Sequence, residues 1–312
     1  MERGVSIVSW VLLVASLGLV ALHLLPRLQL ISSPVLIAAS LIPYGVPAAA
    51  VALSLIALAR ARPLVLLLSC AVLTAHILIA RPYWLGQAPA SSDPVTVMTM
   101  NMRCNSPGHE ELAQLILETD PDVSVINGLG RKSRFELTET LADRYSTAAF
   151  TPMPAFPKCG TVVFTRLPFD GWVSPQRHPA AFVRAPGFEF ALVAVDLPTP
   201  TDGIGPWLHA FDDLIADMPA LEGQEVIAVG DFNAVLEHEP MRRLTRETEW
   251  RDAVTSSWLG WLPTFPDEGV IPPLVALDHV LLSPGLVATS AWTASIPRQQ
   301  HRALFVTVGV SE

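Results

Sequence analysis

The sequence predicts an α/β protein in two parts: an N-terminal region of three transmembrane helices and, behind a short tether, a four-layer α/β/β/α sandwich. Three observations predict it. Apolar residues crowd into roughly the first 85 positions, where charge is nearly absent. A small, polar, proline-bearing stretch follows. Beyond that stretch, period-two apolar runs alternate with helical spacing, the pattern of strands interleaved with helices.

The charge balance divides the chain of 312 residues at the same place. Residues 1–94 carry Arg3, Arg27, Arg60, Arg62 and Arg81 against Glu2 and Asp93, a net +3, which leaves −12 of the total −9 for residues 95–312. Lys132 and Lys158 are the only lysines there. Nucleic-acid binding normally begins with a basic face that displaces counterions, so this acidic domain argues against long DNA or RNA as a partner.

A helix rises about 1.5 Å per residue, so a hydrocarbon core of about 30 Å needs about 20 apolar residues. Residues 5–25, 35–59 and 64–80 approach or exceed this. The first run lacks a small-x-small exit before Pro26 and two more spans follow, which distinguishes it from a cleaved signal peptide. Pro43, Gly45 and Pro47 predict a kink in the first half of the second span, because proline removes a backbone donor. Tyr83 and Trp84 fall where an interfacial aromatic belt belongs.

Arg3 and the pair Arg60 and Arg62 are separated by two crossings and share one face; Arg27 and Arg81 share the other. The positive-inside rule then favours a cytoplasmic N-terminus and an extracytoplasmic C-terminal domain, in a multi-pass cell-membrane protein. His23 and His76 lie inside spans but near their ends, where a neutral imidazole is expected to reach the interface.

Residues 85–94 read as the tether and residues 95–312 as the second domain. Strands are expected at 95–101, 123–126, 161–164, 182–183, 190–195, 226–229, 275–282 and 304–308, and helices at 110–117 and 135–141.

Gly230-Asp231-Phe232-Asn233-Ala234 follows the apolar run Glu225-Val226-Ile227-Ala228-Val229. A carboxylate and an amide two residues apart, just past a strand end, point to one side and can grip one water or one metal ion. An isolated Asp-x-Asn serves as often to cap a turn.

Other motifs fall in order around it. Val97-Met98-Thr99-Met100-Asn101 ends a strand in asparagine; Asp120-Pro121-Asp122-Val123 enters the next; Gly160-Thr161-Val162-Val163-Phe164-Thr165-Arg166-Leu167-Pro168 forms a third. Thr264-Phe265-Pro266, Leu277-Asp278-His279-Val280-Leu281 and His301-Arg302 complete the series. Together, over residues 95–310, these resemble the endonuclease/exonuclease/phosphatase superfamily, and the three-span arrangement resembles its membrane-anchored branch that includes teicoplanin-resistance-type proteins. The resemblance implies a DNase I-like sandwich and metal-dependent hydrolysis of a phosphoester or phosphoanhydride. It implies that Asp231 orients or deprotonates water, that Asn233 and Asn101 hydrogen-bond water and phosphate, and that His301, fixed by Asp278, stabilises the phosphoryl oxygens.

Three positions depart from the family pattern. The second strand should end in Gln-Glu, the glutamate being a metal ligand, but Asn127-Gly128 stands there; the closing Ser-Asp-His is Gln299-Gln300-His301; and a strand histidine is replaced by Asp196. Losing two carboxylates removes anionic charge that draws a hard cation. Two readings follow. A single Mg²⁺ or Mn²⁺ lodges between Asp231, Asn233 and Asp196 in a hydrolase with an eroded metal site, acting on a phosphorylated lipid of the bilayer that anchors it. Alternatively, the domain is a non-catalytic module that binds phosphate or a lipid headgroup.

Cys70 reads as a packing residue in the third span. Cys104 and Cys159 flank two strands, and an extracytoplasmic location permits a disulfide between them without requiring it. His109, His178, His209 and His238 lack metal-ligand spacing and read as surface or capping residues. Trp172, Trp207, Trp258, Trp261 and Trp292 read as core or loop packing, with an apolar rim against lipid as the alternative.

Overall fold

The computed structural model describes residues 7–84, 91–104, 106–152, 159–173, 180–256, 260–268 and 271–311; Arg3, tether residues 85–90, His178 and Trp258 lie outside them. The chain divides into two compact units, Met1–Trp84 with Leu236–Arg242, and Leu85–Val235 with Arg243–Glu312.

The first unit is a bundle of α1 (Ile7–Leu24), α2 (Ser33–Ala39), α3 (Gly45–Leu58) and α4 (Pro63–Ala80). Helix α1 and the stretch Pro63–Tyr83 are each long and apolar enough to span a bilayer, and α2 with α3 would make a third span bent by 47°. The expected second span is therefore a broken one. Its break falls beside Pro43, where the chain tightens into the 3-10 turn Ile42–Tyr44 that a proline permits and a straight α-helix does not. Two or three apolar helices of this kind indicate membrane anchoring.

Inside the bundle Leu13, Ala49, Ala52, Ile56 and Val72 pack together, the small side chains letting backbones approach closely. His76 does not reach an interface: it is buried, and its Nε2 lies 3.0 Å from the Ser16 carbonyl. A Cβ at Gly45 would overlap its ring, so glycine is required there.

Leu236–Arg242, far away in sequence, completes this unit. The buried Gln29 amide donates to the carbonyls of Leu22 and Glu237, each at 3.0 Å, and accepts the Glu239 amide N–H at 3.0 Å. The Tyr83 hydroxyl donates to the Glu237 carboxylate. His238, expected as a surface or capping residue, is buried with its Nε2 3.1 Å from both Ser40 Oγ and the Leu36 carbonyl, and Arg242 donates to the His23 carbonyl at 2.6 Å. Burying polar groups among apolar helices is tolerable only with such partners.

The second unit holds two six-stranded sheets. The first uses β1 (Ser91–Asn101), β2 (Val123–Gly130), β3 (Ser146–Pro152), β4 (Cys159–Thr165), β11 (Leu286–Ala294) and β12 (Ala303–Ser311), in the order β11-β12-β1-β2-β4-β3. The second uses β5 (Phe169–Val173), β6 (Ala180–Ala185), β7 (Phe188–Asp196), β8 (Val226–Asp231), β9 (Arg251–Asp252) and β10 (Asp278–Leu282), in the order β5-β6-β7-β8-β10-β9. Pairs β1–β2 and β7–β8 are parallel and the other pairs antiparallel, so both sheets are mixed.

Period-two alternation assigns the faces. Val95, Val97, Val123 and Val125 of one sheet pack on Leu192, Ala194, Ile227, Val229, Val280 and Leu282 of the other. The intervening Met98, Met100, Ile126 and Phe305 face outward onto α5 (His109–Thr119) and α6 (Arg131–Leu141) through Leu112, Ile116, Leu137 and Leu141. Helix α7 (Ile204–Asp217) buries Trp207, Phe211 and Leu214, and α8 (Glu239–Thr248) and the short α9 (Ala253–Ser256) follow. The result is the expected sandwich of the DNase I-like kind.

The tether is shorter than expected, because Ser91 to Pro94 already belong to β1: Ser91 pairs with Ser311 and Ser92 with Val310 before a bulge that ends at Val95. Pro94 sits in that irregularity, where a missing N–H breaks no ladder bond. The strand expected from 275 begins at Asp278, with Val275 forming only an isolated bridge to Phe265.

Cys104 and Cys159 form a disulfide, with Cα atoms 5.7 Å apart and a sequence separation of 55. Closing a loop of that length constrains the unfolded chain, so Cys104→Ser is expected to lower stability by about 2–4 kcal/mol, measurable by chemical denaturation. An equal unfolding midpoint with and without reductant would contradict this.

Candidate functional site

The alternation that builds the core also builds the cleft. Along β1 the inward series Val97 and Thr99 ends in Asn101, and along β2 Val123 and Val125 lead to Asn127, which is Asn101's register partner. On the facing sheet Leu192 and Ala194 lead to Asp196, Ile227 and Val229 lead to Asp231, and the β10 series begins with Asp278. Asp231 is the register partner of both other aspartates. Two asparagines on one sheet thus face three aspartates on the other, all at strand ends.

Hydrogen bonds join the two rows. Asn101 Nδ2 donates to Asp231 Oδ2 at 2.7 Å, while Asn101 Oδ1 accepts the Arg103 amide at 2.8 Å. The Asp231 amide donates to Asn127 Oδ1 at 3.2 Å, and Asn127 Nδ2 donates to Thr161 Oγ1 and the Val195 carbonyl. Asn233 takes a left-handed φ of 49°, which asparagine tolerates better than most residues. That turn lets its amide donate to Asp231 Oδ1 at 2.8 Å and its Nδ2 to the Leu197 carbonyl at 2.8 Å and Asp231 Oδ2 at 3.3 Å.

His301 arrives from the loop before β12 and donates Nδ1–H to Asp278 Oδ2 at 2.8 Å, which leaves Nε2 for the cleft. Its ring packs on Phe265 at 5.0 Å, and Thr264 Oγ1 accepts the Asp278 amide at 3.3 Å.

Electrostatics follows from crowding like charges. Burial, reinforced by the charges of Asp278, holds the Asp231 carboxyl above its ordinary range, with His301 and Asn101 opposing. Burial and then Asp231 push Asp196 up to about 7, against a 3.2 Å hydrogen bond from Thr161. For His301 burial alone would lower the value, but Asp278 outweighs it and raises it to about 9, so the ring is an imidazolium at neutral pH.

Oxygens of Asp231 and Asp278 and a ring nitrogen of His301 lie within 4.8 Å of one another, so the two carboxylates offer ligand atoms and His301 flanks them. Asp278 Oδ1 is buried and has no hydrogen-bond partner among the described residues. An orphaned buried carboxylate oxygen beside a second carboxylate fits a hard divalent cation. Asp196, beside Asp231 in register and bonded to Thr161, is not among these three.

Gly128 has φ +70° in an irregular stretch of β2, and a Cβ there would lie 2.8 Å from both Asn101 Oδ1 and the Arg103 amide nitrogen. The glycine is therefore a conformational requirement. Sequence reasoning gave no role to Asn127 or Thr161; the signal was their alignment with the Asn101 and Asp196 strand ends.

Behind the cleft, His279 is buried with Nδ1 2.9 Å from Asp252 Oδ2 and Nε2 2.8 Å from the Ala234 carbonyl. Two acceptors call for two N–H donors, hence an imidazolium. Burial works against the charge, but the Asp252 carboxylate prevails and the value is raised above 6.5. A raised histidine value stabilises the fold fully below the unfolded value and loses that contribution as pH rises through the folded one. Unfolding free energy of the full chain is thus expected to decline above about pH 6.5, with a smaller decline in His279→Gln; equal slopes would contradict it.

A two-sheet sandwich with carboxylates, amides and a carboxylate-fixed histidine gathered at the strand ends is the architecture of a metal-using α/β class. The chain belongs to the endonuclease/exonuclease/phosphatase family, whose model matches residues 98–299. Members typically use a divalent metal, and the buried Asp231–Asp278–His301 group is present here.

Among solved structures, a functionally unknown conserved protein from Enterococcus faecalis aligns with TM-score 0.58 and 13% identity over 69% of this chain and 100% of its own. The mannosyl-6-phosphatase of Bacteroides thetaiotaomicron gives 0.54 and 15%, over 69% and 99%. The human Nocturnin catalytic domain with bound sulfate anion gives 0.55 and 17%, over 72% and 96%. At these identities the likeness is one of fold. No curated protein sequence matches.

Proposed function

We propose that this chain is a membrane-anchored, divalent-metal-dependent hydrolase of a phosphoester or pyrophosphate carried by a membrane lipid, on the branch that resembles teicoplanin-resistance-type proteins. The observation that carries the reading is the meeting of Asn101, Asp231, Asp278 and His301, from two sheets, in one cleft.

Asp231 and Asp278 would hold Mg²⁺ or Mn²⁺, with the Asn233 amide beside them and Asp196 as a further carboxylate. A bound cation would supply charge neutralisation for the phosphate. Asp231, held above the ordinary carboxylate range, accepts a proton from the attacking water near neutrality. Asn101 and Asn233 fix the orientation of Asp231 through its Oδ2 and Oδ1. The His301 imidazolium presents Nε2–H to a phosphoryl oxygen as negative charge develops, and Asp278 keeps the ring aimed.

A lipid substrate agrees with the apolar N-terminal helices, since tethering raises the effective concentration of a bilayer-borne substrate. The disulfide favours an extracytoplasmic domain. The similar folds of a sugar-phosphate phosphatase and of a sulfate-bound domain agree with phosphate chemistry. The net −12 of residues 95–312 weighs against nucleic acid.

A second reading, a phosphate- or headgroup-binding module without catalysis, is favoured by one observation: neither Gly128 nor Gln300 supplies the family's carboxylate. The two separate by assay. The full chain in detergent, given Mg²⁺ or Mn²⁺, is expected to release product from a generic phosphodiester or a polyprenyl pyrophosphate, and chelator is expected to stop it. Saturable binding of inorganic phosphate with no turnover on either substrate would establish the second reading instead.

A further inference from the structure

We propose that Asn127 is a positioning residue of the cleft: its buried side-chain amide fixes the backbone of Asp231 and, through Thr161, the carboxylate of Asp196, so that one side chain sets where two of the acids stand. The proposal deepens the hydrolase reading and rests on it for its kinetic arm.

The polarity of the partners comes first. An asparagine amide has one acceptor oxygen and two N–H donors, and its neighbours decide which end faces where. Asn127 Oδ1 accepts the Asp231 backbone N–H at 3.2 Å, and its Nδ2 donates to the Val195 carbonyl at 2.9 Å. A backbone N–H only donates and a carbonyl only accepts, so these two contacts hold the amide in a single orientation. Nδ2 also donates to Thr161 Oγ1 at 2.8 Å. Having accepted there, Thr161 turns its own hydroxyl hydrogen to Asp196 Oδ2 at 3.2 Å. The hydrogen bonds therefore run one way, from Asn127 through Thr161 to the Asp196 carboxylate.

The place of this tie in the sandwich gives it leverage. Asn127 on β2 and Thr161 on β4 belong to one sheet, Val195 on β7 and Asp231 on β8 to the other. Further into the core the two sheets meet through apolar side chains such as Val125, Ala194 and Val229, which set a spacing but impose no hydrogen-bond direction. Asn127 is fully buried, and losing its amide would leave the Asp231 N–H and the Val195 carbonyl without that partner. Asp196 and Asp231 end neighbouring parallel strands as register partners. Asn127 touches the backbone of the second directly and the side chain of the first through a single hydroxyl. Carboxylates that accept a proton or hold a cation act only at set positions, and a displacement of about 1 Å can cost about 10²-fold in rate.

The test uses the full chain in detergent and separates placement from stability. Thr161→Val keeps the shape and removes the hydroxyl, Thr161→Ser keeps the hydroxyl, and Asn127→Leu removes the amide altogether. In the hydrolysis assay kcat is expected to fall about tenfold in Thr161→Val and about a hundredfold in Asn127→Leu with KM within about twofold, while Thr161→Ser stays within about twofold of wild type. In crystals of the same proteins the Asp196 carboxylate is expected to move by about 1 Å or more in Thr161→Val while Asp231 stays, and both are expected to move in Asn127→Leu. A tie that only stabilises would lower the unfolding midpoint and change nothing else. Unchanged kcat in the folded variants, or carboxylates that keep their wild-type places, overturns the proposal. Should Asn127→Leu not fold, the two Thr161 variants decide by the same comparison. Should wild type hydrolyse nothing, the hydrolase reading fails separately and the carboxylate positions decide the proposal.

Discussion

Asp231→Asn is expected to lower phosphoester or pyrophosphate hydrolysis by about 10³-fold or more, the loss typical when one member of a catalytic unit is removed. The substitution keeps shape, so Asn101 and Asn233 retain a neighbour of the same size. What disappears is the proton acceptor and one of the two carboxylates within the Asp231–Asp278–His301 group. Stability is expected to move little: a neutral amide relieves the repulsion from Asp278, but its NH2 cannot accept the N–H bond that Asn101 or Asn233 now donates, and the two effects offset. Unchanged turnover in a folded Asp231→Asn protein would remove Asp231 from the chemistry.

The second large effect concerns Gly128→Glu, which by sequence alone restores a family ligand. It is expected to restore nothing and to destabilise the protein by about 2–5 kcal/mol. The left-handed backbone at φ +70° costs a side-chain-bearing residue about 1–2 kcal/mol, and overpacking adds about 1–3 kcal/mol. The added Cβ meets backbone at Arg103 and the Asn101 amide oxygen that the Arg103 amide already occupies. Gln300→Asp is the control: Gln300 is partly exposed, so a carboxylate enters there without that clash and should tighten divalent-ion binding. Denaturation midpoints of the two variants, beside Mn²⁺ titrations, check both statements. A well-folded and more active Gly128→Glu would show that β2 relaxes at low cost.

Most of the architecture was legible because burial has a period. The inward series Val97, Thr99, Asn101 and Ile227, Val229, Asp231 announce both strand and cleft, since the residue that ends each series keeps the face of its predecessors. Amphipathic α5 and α6 were legible for the same reason. Helix α7 and strands β3, β5 and β11 were not assigned, because what organises them is tertiary: the buried Trp207 donates to the Phe232 carbonyl, and the exposed Trp292 stacks on Phe305 at 3.9 Å. Neither partner is near in sequence.

Within the site, Asp231, Asn233, Asn101, Asp278 and His301 were legible as residue types at strand ends. The place of Asp278 was not: register sets both Asp196 and Asp278 beside Asp231, and Asp278, expected only to fix His301, joins Asp231 and His301 in the compact group, while Asp196 accepts a bond from Thr161. The Gln29 hydrogen bonds were invisible to sequence, since a glutamine in an apolar run carries no sign of an acceptor 208 residues away. His238, read as a surface or capping residue, does precede the first turn of α8, where its carbonyl accepts the Arg242 amide, but it is buried.

The most direct measurement is the position of Mn²⁺ in crystals of the full chain, located by anomalous scattering and compared with Asp231→Asn. A single peak bounded by Asp231, Asp278 and His301 in wild type, lost in the variant, is the predicted result. A peak that survives in Asp231→Asn, or one seated away from these three side chains, would contradict the account.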